Sequence, residues 1–241
     1  MVRRGVAALL ATVGSLSTAV LPASAEWFVD VYARGSFTGP ADVTTRVPDL
    51  DQRTTLSDVR FDTSSAALGG RLGYWLEYPP VFGLGIDAFR FRPDIRRQTR
   101  TAKVCSPGCA VGSATFEELE LSILGVTLDA RFRAPGMFAT DSIPNGRLQP
   151  YLTVGPTVFI AEAEDSTNFA EPSRQSDTDV AVGLTVGWGL AWQFHKHWAI
   201  FTEYRFTHVS PTFQFTSFGA KTTVRTTLDT HHAIGGISFR F

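Results

Sequence analysis

From Val180 to Phe194 large and small side chains alternate without a break. Val180, Val182, Leu184, Val186, Trp188, Leu190, Trp192 and Phe194 hold the even positions; Ala181, Gly183, Thr185, Gly187, Gly189, Ala191 and Gln193 hold the odd ones. Successive side chains of a β-strand point to opposite faces, so this run is a strand with one broad apolar face and one small or polar face. A water-soluble barrel turns its large apolar side chains inward. Here the small face fits the interior of a narrow barrel and the broad face fits lipid. The run of 15 residues exceeds the ~5–6 of a soluble strand and satisfies the ~9–11 that a tilted membrane-spanning strand needs.

The same period recurs along the chain. Trp27, Val29, Val31 and Ala33 oppose Asp30, Tyr32 and Arg34; Leu68 to Tyr78 oppose Gly69, Arg71 and Glu77; Phe82 to Ala88 oppose Gly85 and Asp87. Leu124 to Phe132 oppose Asp129, Arg131 and Arg133, and Pro150 to Ile160 oppose Tyr151, Thr153 and Thr157. Trp198, Ile200, Tyr204 and Phe206 oppose Glu203 and Arg205, and Ala233 to Phe241 oppose Ile234, Ser238 and Arg240. The expected fold is therefore all-β: an eight-stranded antiparallel up-and-down transmembrane barrel over residues 26–241. Short connections (Tyr78-Pro79-Pro80, 134–147, His195-Lys196-His197) alternate with long polar ones near 38–63, 93–115, 164–178 and 211–225, as such a barrel requires. Aromatic residues flank the short connections: Tyr78 and Phe82, then Phe194 and Trp198, as an interfacial girdle would. Leu119, Leu121 and Ile123 have the opposite parity to Leu124 onward, which predicts a bulge near 123–124. Pro150 and Pro156 fit a regular strand poorly and predict another there.

Residues 1–25 read as a secretory signal peptide. Arg3 and Arg4 precede an apolar stretch from Val6 to Val20, and Ala23-Ser24-Ala25 offers a small-x-small cleavage site. No later apolar run is long enough for a membrane helix. With 22 basic against 23 acidic residues, a formal charge of −1, no global field draws nucleic acid. Two cysteines exclude a disulfide-rich miniprotein or a four-cysteine zinc site. In an oxidising exported compartment Cys105 and Cys109, around Ser106-Pro107-Gly108, are expected to close a disulfide at a loop tip.

The positions of interior parity collect charge: Asp30, Arg34, Arg71, Glu77, Asp87, Asp129, Arg131, Arg133, Glu203, Arg205 and Arg240. Eight strands enclose little more than their own side chains. Buried charges must pair there, so near balance predicts a closed ion-pair network. A narrow porin-like channel, with pairs exchanging partners, is the alternative. Neither a cofactor nor a metal is expected: His195 and His197 bracket a turn with no third ligand, and His231 and His232 point to opposite faces.

Ala67-Leu68-Gly69-Gly70-Arg71-Leu72-Gly73-Tyr74-Trp75, Thr202-Glu203-Tyr204-Arg205-Phe206-Thr207-His208 and the tail Ile234-Gly235-Gly236-Ile237-Ser238-Phe239-Arg240-Phe241 resemble the small eight-stranded outer-membrane β-barrel proteins of the OmpA/OmpX and opacity-protein type. The resemblance covers residues 26–241. It implies a bacterial outer-membrane location and a structural or surface-interaction role rather than an enzyme. It also implies that Ile237, Phe239 and Phe241 form a signal to the barrel assembly machinery. The expected partners are that machinery with its periplasmic chaperones, the outer-membrane lipids and lipopolysaccharide. A monomer is expected. Arg92, Arg96, Arg97, Arg100 and Lys103 are candidates for contact with lipopolysaccharide phosphates. The pair His208 and Ser210 is similar to the His-x-Ser of lipid A 3-O-deacylases, with Asp229 or His231 as a further partner. That family has Asn after the Ser; this chain has Pro211.

Overall fold

Every alternating run forms a strand, and so do most of the long connections. The computed structural model describes residues 26–62, 64–116, 118–134, 137–165, 176–217 and 220–241; the expected leader, 1–25, lies outside them. Eight strands build the barrel: β1 (Glu26–Thr38), β4 (Ser64–Trp75), β5 (Phe82–Phe91), β8 (Leu119–Arg133), β9 (Leu148–Asp165), β10 (Ser176–His195), β11 (Trp198–Val209) and β14 (Leu228–Arg240). Each pairs antiparallel with its neighbours in the order β1-β14-β11-β10-β9-β8-β5-β4, and β1 closes the ring by pairing with both β14 and β4. Closure leaves no edge with unpaired backbone groups, the condition for crossing lipid with strands.

The long connections hold β2 (Ala41–Val47), β3 (Gln52–Val59), β6 (Gln98–Ser106), β7 (Gly108–Phe116), β12 (Thr212–Ser217) and β13 (Ala220–Thr226). They form one six-stranded sheet, β12-β13-β2-β3-β6-β7. Its order repeats the order of the barrel strands that lead into it, β11-β14-β1-β4-β5-β8. The sheet is thus the barrel wall continued beyond the barrel, and segments expected as irregular loops are its upper storey. Thr and Val, which favour strands, run through these segments.

Neither expected bulge is present. Pairing of β8 with β9 keeps one register from Leu119↔Asp165 to Arg133↔Tyr151, through residues 123–124. Leu119, Leu121 and Ile123 face inward like Asp129 and Arg131, because the interior becomes apolar at that height rather than because the strand slips. Pairing lapses at Pro156, which has no N–H to give, and resumes unshifted. There the Leu128 carbonyl leans over Gly155, leaving no room for a Cβ. Register does shift between Arg34 and Ser36, and between Gln193 and His195.

A belt of exposed apolar side chains surrounds the barrel, among them Leu72, Leu84, Leu128, Leu152, Trp188 and Ile200. It ends in charge on β8 and β9, at Glu120 and Glu162. At the opposite end, near the short turns, lie Trp27, Trp192, Phe194, Trp198 and Phe239, all exposed. Residues 137–147 of the longest of the short connections fold back against the end of the barrel. The Gln193 N–H donates to the Arg147 carbonyl (2.7 Å), the Gln149 amide donates to the Gly146 carbonyl (2.6 Å), and Ile143 is buried.

Candidate functional site

The barrel interior is layered. Nearest the short turns, Arg133 donates to Glu26 (3.0 Å) and to the Pro80 carbonyl (2.8 Å). Arg240 donates to Gln149 (2.8 Å) and Gln193 (2.9 Å) and lies 3.6 Å from Glu26. These side chains reach one another because β1, β8, β10 and β14 all place an inward residue at this level.

The middle layer centres on Arg71. Its guanidinium donates to Asp87 (2.8 Å), Asp30 (3.1 Å) and Glu203 (3.1 Å), and lies 3.5 Å from Asp129. Arg205 donates to Asp87 (2.8 Å) and Glu203 (2.6 Å), and Arg131 donates to Asp30 (3.3 Å). Two buried tyrosines complete the shell: Tyr32 donates to Asp87, and Tyr151 to Glu203 (2.9 Å). Arg131 also lies over Tyr151 (4.7 Å) and Phe28 (4.8 Å). All of these charges are buried. The planar fork of arginine, with five donors, lets one cation serve several carboxylates at once.

Glycines make room for this layer. Gly187 and Gly189 pair directly with Arg205 and Glu203. A Cβ on Gly187 would meet the Thr153 hydroxyl at 2.7 Å and Glu203 at 3.1 Å. The void among Asp30, Arg131, Arg133, Tyr151 and Arg240 holds about 10 Å³, room for a single water.

Above the carboxylates sits Arg34, which touches no carboxylate among the described residues. It contacts His232 (2.5 Å) and stacks over Phe89 (4.2 Å); His232 also bonds Ser36 (2.7 Å) and Thr207 (3.0 Å). Thr127, Thr157 and Thr185 link hydroxyls across three strands at 2.7 and 2.6 Å. Higher still the interior is apolar: Phe89, Phe91, Ile95, Leu121, Ile123 and Phe159 pack under Val43, Leu56, Ala102 and Phe213 of the wall extension.

The structure thus brings together Asp30, Arg71, Asp87, Asp129, Arg131, Glu203 and Arg205, with Arg133 and Arg240 one layer below and Arg34 one above. Glu77 is a correction. The strand ends at Trp75, so Glu77 lies exposed in the turn, where alternation no longer places side chains. Glu26 takes its place in the interior. It has the parity of Asp30 but precedes the first alternating apolar residue, Trp27. Tyr32, Tyr151, Gln149, Gln193 and His232 were also missed as partners, although each has interior parity. Parity assigns a face and says nothing about which side chains meet across a lumen.

Cys105 and Cys109 form the disulfide, directly paired across the β6–β7 hairpin. Ile237, Phe239 and Phe241 are exposed at the end of β14, and the Phe241 backbone pairs with Trp27. His208 contacts Asp229 at 2.6 Å, whereas the Ser210 hydroxyl bonds Thr227 at 2.9 Å. Arg96 pairs with Asp62 (2.5 Å) and Arg100 donates to Gln98 (2.8 Å). Among the described residues no group of His, Cys, Asp and Glu is arranged for a metal.

The model of the outer membrane protein beta-barrel domain family matches residues 7–241. Among solved structures the chain is similar to the outer membrane protein OprG from Pseudomonas aeruginosa, with TM-score 0.58 and 14% identity over 90% of this chain and 96% of that one. It is also similar to Neisserial surface protein A, with TM-score 0.46 and 12% identity over 91% of this chain and 100% of that one. At such identities the likeness concerns the fold. Comparison with the curated proteins finds no match.

Proposed function

Because this chain belongs to the outer membrane protein β-barrel family, we propose that it is a closed outer-membrane barrel whose working surface is the wall extension. The extension faces outside and the short turns face the periplasm. A leader over 1–25 is cleaved on export. The barrel inserts as a monomer with the help of the assembly machinery and periplasmic chaperones, the former engaging Ile237, Phe239 and Phe241. Lipopolysaccharide surrounds the belt.

One observation carries the closed reading: a single guanidinium, Arg71, is shared by four carboxylates across the lumen. An ion path through this layer would have to separate buried partners, and removing one partner of such a pair costs about 3–5 kcal/mol. The apolar plug above and the 137–147 fold below close the remaining ends. The test is single-channel recording of the refolded chain in a planar bilayer, with folding verified by the heat-dependent gel shift. Silence is expected. Steady steps altered by Glu203→Gln or Arg205→Gln would establish the narrow channel instead.

No catalysis is ascribed to the chain. The His208–Asp229 contact is the strongest support for a lipid A deacylase, but Ser210 is engaged by Thr227 and followed by Pro211. Lipid A from cells overproducing the chain should keep its acyl pattern; loss of one ester-linked chain, abolished by Ser210→Ala, would install the enzyme reading.

A further inference from the structure

We propose that the outer face of the wall extension, across β13, β2, β3 and β6, binds a soluble polyanionic polysaccharide through Arg225, Arg46, Arg53 and Lys103. This rests on the reading that the extension faces outside.

The register puts these cations on one face. Arg225 pairs with Thr44, Thr44 with Thr55, and Thr55 with Lys103; two positions along, Arg46 pairs directly with Arg53. Directly paired residues of a sheet share a face. The opposite face carries Val43, Leu56 and Ala102 and packs onto the apolar plug. All four cations are exposed. Adjacent strands lie about 4.8 Å apart, so the row spans roughly 14 Å across four strands.

Like charges directly opposite each other destabilise a sheet, and among the described residues no carboxylate pairs with Arg46 or Arg53. Among the described residues neither they nor Lys103 and Arg225 form an ion pair, while Arg71, Arg96, Arg131, Arg133 and Arg205 each touch a carboxylate. Asp42, at the root of β2, accepts the Asp58 N–H (3.3 Å) instead. Asp49 and Asp51 stand at the tip of the β2–β3 hairpin without an ion pair to the row. A cationic row held against its own repulsion is suited to a ligand that supplies the missing anions.

The rest of the face decides the class of ligand. Between the cations stand Thr44, Thr55 and Thr223, with Gln214 beyond them. These are donors and acceptors for sugar hydroxyls. The paired rows hold no aromatic platform on which bases would stack, nor an aromatic anchor of the kind that dominates protein interfaces. The row lies past the belt along the chain. Arg46 follows Phe37, the last exposed apolar residue of β1, by nine positions. That is at most roughly 30 Å along extended chain, set against the ~8 Å over which physiological salt leaves exposed charges coupled.

The test uses the refolded protein in phosphatidylcholine vesicles, with dextran sulfate as probe and uncharged dextran as control. Two variants of equal charge change are compared, Arg46→Ser/Arg53→Ser on the row and Arg90→Ser/Arg92→Ser on another part of the wall, each checked by the gel shift. The first is expected to bind dextran sulfate about tenfold more weakly, with a log–log salt slope reduced by roughly one per cation removed. The second should bind within a factor of about three of the parent. Equal losses in both variants, binding of uncharged dextran, or binding that needs lipopolysaccharide in the bilayer would overturn the proposal. Orientation is read separately, by labelling Thr44→Cys with a membrane-impermeant maleimide on intact cells. Labelling supports it, and protection from label alongside intact binding in vesicles would overturn the orientation alone.

Discussion

The barrel interior near Arg71 and the interior near Phe159 belong to the same strands, yet they are built from opposite chemistry. On β8 the inward residues Asp129 and Arg131 stand behind an outward face of Leu124, Val126 and Leu128. A few residues toward the wall extension the inward residues are Leu119, Leu121 and Ile123, and the outward ones are Glu120 and Ser122. β9 inverts in the same way, with Phe159, Ala161 and Ala163 inside and Glu162 outside. The backbone register does not change; what changes is the solvent on the far side of the wall. Against lipid the outward face must be apolar, and the hydrophobic effect cannot specify the interior, so paired charge and hydrogen bonds do. Above the lipid the wall meets water, and the ordinary arrangement of apolar inside and polar outside returns. One strand thus carries two folding codes, joined at residues 123–124.

The comparison makes predictions of decreasing size. Arg71→Met removes the cation that Asp30, Asp87, Asp129 and Glu203 share. It should destabilise the barrel by about 3–5 kcal/mol, read as a lower urea midpoint of the heat-modifiable form; a loss under about 1 kcal/mol would show that the charged layer fills space without specifying it. Phe159→Ala should cost about 3 kcal/mol by opening a cavity in the apolar plug. Its effect belongs to the extension: β6, β7 and β12 should exchange amide hydrogens faster while the barrel strands stay protected. Uniform loss of protection would erase the distinction between the two regions. Gly155→Ala lies on the same strand four residues further into the barrel, where the new methyl would meet the Leu128 carbonyl. About 1–3 kcal/mol is expected for the backbone shift this forces, and an unchanged urea midpoint would mean that the wall yields there freely. The smallest effect is that of Cys105→Ser/Cys109→Ser. Closing so short a loop contributes at most about 2 kcal/mol, confined to the β6–β7 hairpin, and the barrel midpoint should not move.

The barrel was legible to the degree that alternation is local. Val180 to Phe194 names its own lipid face, and Asp30, Arg71, Asp87 and Glu203 declare their inward direction by parity alone. Glu77 failed because alternation was extended past Trp75, where the chain turns. The bulge near 123–124 failed because a change of parity in hydrophobicity reads the same whether the strand slips or the solvent changes. Pro156 failed for a different reason: a barrel strand tolerates one missing donor when its flanking pairs hold register.

What this sequence determined by itself is the set of wall strands, the face each residue takes and the near balance of charge that must be neutralised inside. Those properties follow from a period of two and from the cost of burying charge, neither of which needs a partner to be known. Only the tertiary structure decided that Arg71 serves four carboxylates, that Glu26 rather than Glu77 enters the lumen, that polar connections become a continued wall, and that Arg46 faces Arg53. Each of these depends on the stagger between strands far apart in the chain, which is set by closure of the whole ring and is written in no single segment.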